Sequence, residues 1–137
     1  MKIVIMGCEH ECSKLSESMT SNGHEVTMIE VDPDKFKKAK NELNTKVIHG
    51  DGTDTQTLEK SGIKDANIFI AASKNDESNF LASSIVKMYN VPKIIVRLLD
   101  SQYEKVFKEV GIFNVVKSEI FRAEYLEKLI TGQFEFK

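Results

Sequence analysis

The residues best suited to chemistry stand near the start of the chain. A short apolar run, Lys2 to Met6, leads into Gly7, Cys8, Glu9, His10, Glu11 and Cys12. A glycine directly after such a run opens the dinucleotide fingerprint G-x-G-x-x-G. In that motif the first glycine makes the tight turn, the second lets the backbone approach a pyrophosphate, and the third lets helix and strand pack closely. Here the three positions read Gly7, Glu9 and Cys12, so only the first glycine is kept. Glu9 brings a carboxylate to the phosphate position. Two like charges about 4 Å apart repel by roughly 4 kcal/mol at an effective dielectric near 20. Glu11 adds a second acid, of a kind that a helix dipole favours near its N-terminus. His10 can meet a phosphate when protonated.

Further candidates follow later strand-like runs. Glu30 ends the run EVTMIE, 23 residues after Gly7, where an acid can hold the two ribose hydroxyls of an adenosine. No arginine follows to receive a 2′-phosphate, since the next residues are Val31 and Asp32. The bland alternative is that Glu30 and Asp32 only cap the next helix. Asp51 and Gly52, in GDGTD, offer a turn for an adenine edge, or else a plain turn with Asp54 as a helix cap. Ala72 and Ser73, in AASKNDESN, leave space beside the glycine loop, with Asn75 or Asp76 capping the helix that follows. Arg97 is a fixed charge for a phosphate or ribose, or a partner for Asp100 or another carboxylate. Cys8, His10 and Cys12 are metal-ligand types, but the C-x2-C spacing is absent and a loop-to-helix turn aims them apart. Packing residues and an exposed histidine are the preferred reading, with no metal. His24 and His49 have no evident partner, and Ser73 and Ser83 have no histidine or acid at a triad spacing.

These loops need a scaffold that presents them together. Strands are expected at 2–6, 25–30, 46–50, 67–71, 93–98 and 114–117, several of them Ile- and Val-rich with little alternation, as in a parallel sheet buried on both faces. Helices are expected at about 11–22, 33–43, 54–61, 76–90, 101–110 and 118–131, with caps at Asp32, Asp54, Asp76 and Ser118. Six strands alternating with helices imply right-handed crossovers and an α/β, Rossmann-like, doubly wound parallel sheet. Ligands bind such sheets at the carboxyl ends of the strands, where strand order reverses. With 137 residues, one domain is expected over 1–131, followed by a tail at 132–137 in which Phe134 and Phe136 alternate with polar residues.

Composition narrows the function. A net charge of −2 gives no electrostatic case for nucleic acid. No apolar run approaches the roughly 20 residues that span a bilayer, and two cysteines make no disulfide scaffold. The expectation is a cytoplasmic protein without direct membrane insertion.

The segments KIVIMGCEHECSKLSESMTSNGHEVTMIEVDPDK, VIHGDGTDTQTLEKSGIKDANIFIAASKNDESNFLAS and VPKIIVRLLDSQYEKVFKEVGIFNVVKSE together resemble the RCK-N domain, also called KTN or TrkA N-terminal domain. The resemblance covers about residues 1–131 and rests on GD-x-TD, AA-S/T-x-N-D-E-x-N and V-x-x-V-V-x-S-E in order, the last with Ile112 in its first place. It implies a Rossmann-like regulatory module of a potassium channel or transporter that binds NAD(H), ATP, ADP or AMP. It further implies that Gly7 to Glu11, Glu30, Asp51, Gly52, Ala72, Ser73 and Arg97 surround the nucleotide. Where relatives carry a second and third glycine, this chain has Glu9 and Cys12, which suits AMP better than a pyrophosphate.

Three functions are therefore weighed: a nucleotide-sensing subunit, a ligand-free assembly scaffold of the same fold, and a small NAD-dependent oxidoreductase. The last needs a substrate domain for which the sheet leaves no space, so a non-enzymatic sensor is expected. The helix at 118–131 carries more apolar residues than one docking stripe requires. A homodimer or higher ring is expected to form through it, seated on a membrane potassium transporter or channel subunit.

Overall fold

The computed structural model describes residues 1–7, 9–112 and 114–132, without the side chain of Phe121. Cys8 and the phenylalanines of the tail lie outside the described residues. Strands β1 (Lys2–Met6), β2 (Glu25–Glu30), β3 (Lys46–His49), β4 (Ile68–Ala71), β5 (Lys93–Leu98) and β6 (Asn114–Lys117) alternate with helices α1 (His10–Ser21), α2 (Pro33–Glu42), α3 (Thr55–Lys60), α4 (Asp76–Lys87), α5 (Glu104–Glu109) and α6 (Ser118–Ile130). The sheet order is β3-β2-β1-β4-β5-β6, with every neighbouring pair parallel. The chain thus winds one way from β1 to β3 and the other way from β4 to β6. The reversal falls between β1 and β4.

Two apolar cores follow from strands that bury both faces. Val4, Met6, Ile29, Phe69, Val96 and Leu98 pack with α4 and α5 on one side, where Phe107 meets Phe80 edge to face at 5.2 Å. Ile3, Ile5, Val26 and Met28 close with Cys12 and Ala72 on the other. Register aligns the strand ends that matter. Met6 lies level with Ile29 and with Ala71, so the loops after β1, β2 and β4 start at one height.

Helix starts follow local hydrogen-bond chemistry. Asp32 caps α2 by accepting from the amides of Asp34 and Lys35, with Pro33 in the first turn. Asp54 caps α3 through Gln56. One open choice of cap is resolved and one expected cap, Ser118, is corrected. Asn75, not Asp76, caps α4 by accepting from Ser78, because Asp76 spends both oxygens elsewhere, on the amides of Leu99 and Asp100 at 2.9 Å each. Ser118 is the first residue of α6, whose N-cap position holds Lys117 with no side-chain cap bond.

Helix α6 stands apart from the body. Ile120, Tyr125, Leu126 and Ile130 are exposed, Ile130 to 84%. Among the described residues nothing covers both of its faces.

Candidate functional site

The backbone ladders run on past the strands and fix the loops around the reversal point. The Gly7 amide donates to the Ile29 carbonyl at 2.8 Å, Ala72 to Met6 at 2.9 Å, and Gly50 to Glu30 at 3.0 Å. Gly7 holds φ at +117°, and a Cβ on it would stand 3.0 Å from the Ala72 carbonyl oxygen and 3.2 Å from the Ser73 nitrogen. Glycine is required there twice, for its backbone angle and for the close passage of the β4–α4 loop. Gly52 is pressed against Met6, whose side chain leaves no space for a Cβ.

These loops enclose a cleft of about 210 Å3, lined by Met6, Gly7, Ile29, Glu30, Val31, Gly50, Asp51, Gly52, Ser73, Asn75 and Ser78. Five of the residues singled out from sequence, Gly7, Glu30, Asp51, Gly52 and Ser73, therefore meet on one surface. Met6, Ile29 and Val31 give it an apolar wall that motif reasoning did not pick out. Their only sequence signal was their position at the carboxyl ends of β1 and β2, where ligands of such sheets bind.

Glu30 is 7% exposed, and its Oε2 accepts the amide of Asp32 at 3.0 Å. It does not cap α2, which is the task of Asp32. Asp51 accepts from the amide and hydroxyl of Thr53 at 2.9 and 2.7 Å, which folds the GDGT turn on itself. Ser73 is held by Asn79, a fully buried residue that sequence reading passed over. Asn79 Oδ1 accepts from the Ser73 amide at 3.1 Å and its hydroxyl at 2.7 Å, while Nδ2 donates to the carbonyls of Ser73 at 2.9 Å and Arg97 at 3.2 Å. Asp76 and Asn79 are one helical turn apart, so both can turn toward the loops. That spacing was the signal for Asn79.

The other candidates lie around the cleft. Ala72 is buried beneath it. Arg97 sits behind Ala72, where Nη1 donates to the Ala72 carbonyl at 3.5 Å and approaches Glu11 Oε2 at 3.9 Å. Its buried Nε has no hydrogen-bond partner among the described residues. Arg97 thus pairs with Glu11 and not with Asp100, which caps the short turn at Ser101–Tyr103. Glu9 and His10 line a neighbouring depression with Ser13, Lys35 and Lys38.

Glu9 is no bare charge. Its Oε1 accepts from Lys35 Nζ at 2.5 Å, and its Oε2 lies 3.6 Å from Lys74 Nζ. The Lys35 hydrogen bond is the main reason its pKa falls below the ordinary carboxylate value. Cys12 is buried at the third glycine position. Desolvation raises its thiol pKa to about 11, which leaves it protonated and poorly nucleophilic. His49, without a partner in the sequence reading, bonds the Val31 carbonyl at 3.1 Å and stacks on Phe36 at 5.0 Å. Among the described residues no three His, Cys, Asp or Glu side chains gather to hold a metal ion, and no helix is long and apolar enough to cross a membrane.

Comparison with known proteins bears on the fold that carries these loops. The family model of the TrkA-N domain matches residues 3–118. The chain is 44% identical over 131 residues to a Trk system potassium uptake protein TrkA homolog of Methanothermobacter thermautotrophicus, covering 96% of this chain but 61% of that relative. It therefore spans about three-fifths of the length of that curated relative. Among solved structures, a Shewanella denitrificans Kef CTD in AMP-bound form superposes with a TM-score of 0.80 at 19% identity, over 96% of this chain and 81% of that one. A GsuK channel bound to NAD superposes with a TM-score of 0.75 at 22% identity, over 84% of this chain and 21% of that one.

Proposed function

This chain belongs to the TrkA-N domain family, and from that premise we propose that it is the nucleotide-sensing regulatory part of a potassium transport system. The observation that carries the reading is the convergence of Gly7, Glu30, Asp51, Gly52 and Ser73 on one cleft at the reversal of strand order, the place where doubly wound sheets take nucleotides. The ligand is an adenine nucleotide. The apolar wall takes the base, Glu30 takes the ribose hydroxyls, and the turn at Asp51 and Gly52 faces the base edge. Glu9 and Cys12 at the second and third glycine positions leave no close backbone approach for a pyrophosphate, which favours AMP over a whole dinucleotide. Arg97 lies close enough to the β4–α4 loop to receive a phosphate once Glu11 lets go.

The role is regulatory, not catalytic. Its relatives are named for potassium uptake, and this part works at the inner face of the membrane through a transporter or channel subunit. A homodimer or larger ring forms through the exposed face of α6. Titration calorimetry with AMP, ADP, ATP and NADH tests the nucleotide. AMP is expected to bind most tightly, and tighter binding of NADH would reverse that order. If none of the four binds or raises the melting temperature, the chain is an assembly scaffold of the same fold.

A further inference from the structure

Glu9 occupies the position at which the fingerprint's second glycine lets backbone and pyrophosphate meet. Its carboxylate joins two ammonium groups that come from different sides of the cleft. Lys35 belongs to α2, which follows the Glu30 strand, and Lys74 to the loop after β4, between the cleft residues Ser73 and Asn75. A carboxylate gripped by two lysines at the start of a helix offers the same chemistry as a phosphate in that place: two anionic oxygens, each answered by a cation. Lys35 and Lys74 were not among the residues that motif spacing singled out.

The geometry points to Glu9 as a built-in surrogate for the second phosphate of a nucleoside diphosphate, with Lys35 and Lys74 as the groups that it occupies. This rests on the nucleotide reading of the cleft and adds its selectivity. A monophosphate enters beside Gly7 and Ser73 and leaves the three-way ion pair closed. A diphosphate must displace the Glu9 side chain, and its outer phosphate then inherits both lysines. Glu9 thereby sets how many phosphates the site accepts. The lock is held from outside the cleft, since Lys35 and Lys74 are 44% and 65% exposed, so it can open without disturbing the core.

Calorimetry on the full chain with AMP and ADP as probes tests this. In Glu9→Gln, which keeps the shape and removes the charge, and in Glu9→Gly, which also removes the bulk, ADP affinity should rise at least tenfold while AMP affinity changes less than twofold. Adding Lys35→Ala and Lys74→Ala to Glu9→Gly should cancel most of the ADP gain. An unchanged ADP-to-AMP ratio in both Glu9 variants overturns the proposal. So does an ADP gain that survives loss of both lysines, which would mean that Glu9 only blocks space. Failure of AMP to bind the parent chain would remove the nucleotide reading itself, an outcome distinct from an unaltered ratio.

Discussion

Replacing Gly7 by alanine sets a methyl group 3.0 Å from the Ala72 carbonyl oxygen on a residue held at φ +117°. Both faults act together, and a strained non-glycine backbone of this kind costs about 1–3 kcal/mol. Gly7→Ala should lower the melting temperature and weaken nucleotide binding together. An unchanged melting temperature would show that the β4–α4 loop gives way freely. Cys12 supports a second expectation. With its pKa raised to about 11 by burial, it stays a thiol at pH 8 and reacts slowly. In a Cys8→Ser chain, a thiol reagent at pH 8 should label Cys12 only on the timescale of unfolding, and rapid labelling would mean that the loop opens. Gly7 and Glu30 could be read from spacing alone, because a tight turn and an acid at a strand end are local demands. Lys35 and Lys74 could not. Lysines are common on exposed faces, and only the folded chain brings these two to Glu9.

The six strands were readable because buried parallel strands need Ile and Val on both faces, and Lys2–Met6 and Lys93–Leu98 carry them. The α4 cap was ambiguous for a physical reason. Asn75 and Asp76 are both good caps, and the choice was settled by the amides of Leu99 and Asp100, far along the chain, which hold Asp76. A comparable long-range tie joins α5 to the root of α6. Glu104 meets Lys108 at 2.8 Å and Lys117 at 2.9 Å. Hydrogen bonds from these two lysines lower its pKa from the ordinary 4.5 to about 2. A depressed carboxylate pKa gives stability that is present above the unfolded value and is lost as pH falls through the folded one. The melting-temperature gap between the parent and Glu104→Gln should therefore be fullest above about pH 4.5 and close toward pH 2. A gap that stays constant over that range would show that the tie is not electrostatic.

At the scale of the molecule, the proposed assembly depends on the exposed face of α6. Leu126 and Ile130 are 59% and 84% exposed, and each large apolar side chain buried gains about 1.5–3 kcal/mol, so a second copy of the chain has reason to cover them. Light scattering at tens of micromolar protein should give twice the 15.5 kDa of one chain. Leu126→Glu with Ile130→Glu should return it to a monomer with its nucleotide cleft intact. A monomeric parent ends the dimer reading, and a dimer that survives both charges places the interface elsewhere.

The way α6 is anchored also has a mechanical side. It has 13 residues and so measures about 20 Å at 1.5 Å per residue, fixed at one end by β6 and the Glu104–Lys117 strut. It is a cantilever. A tilt of about 10° at Ser118 swings a tip about 20 Å away through roughly 3 Å. Asn79 and Asp76 couple the cleft loops to β5 and to the turn leading into α5, next to that fixed end. Any tilt at the root would therefore be read out at Ile130 as a larger displacement.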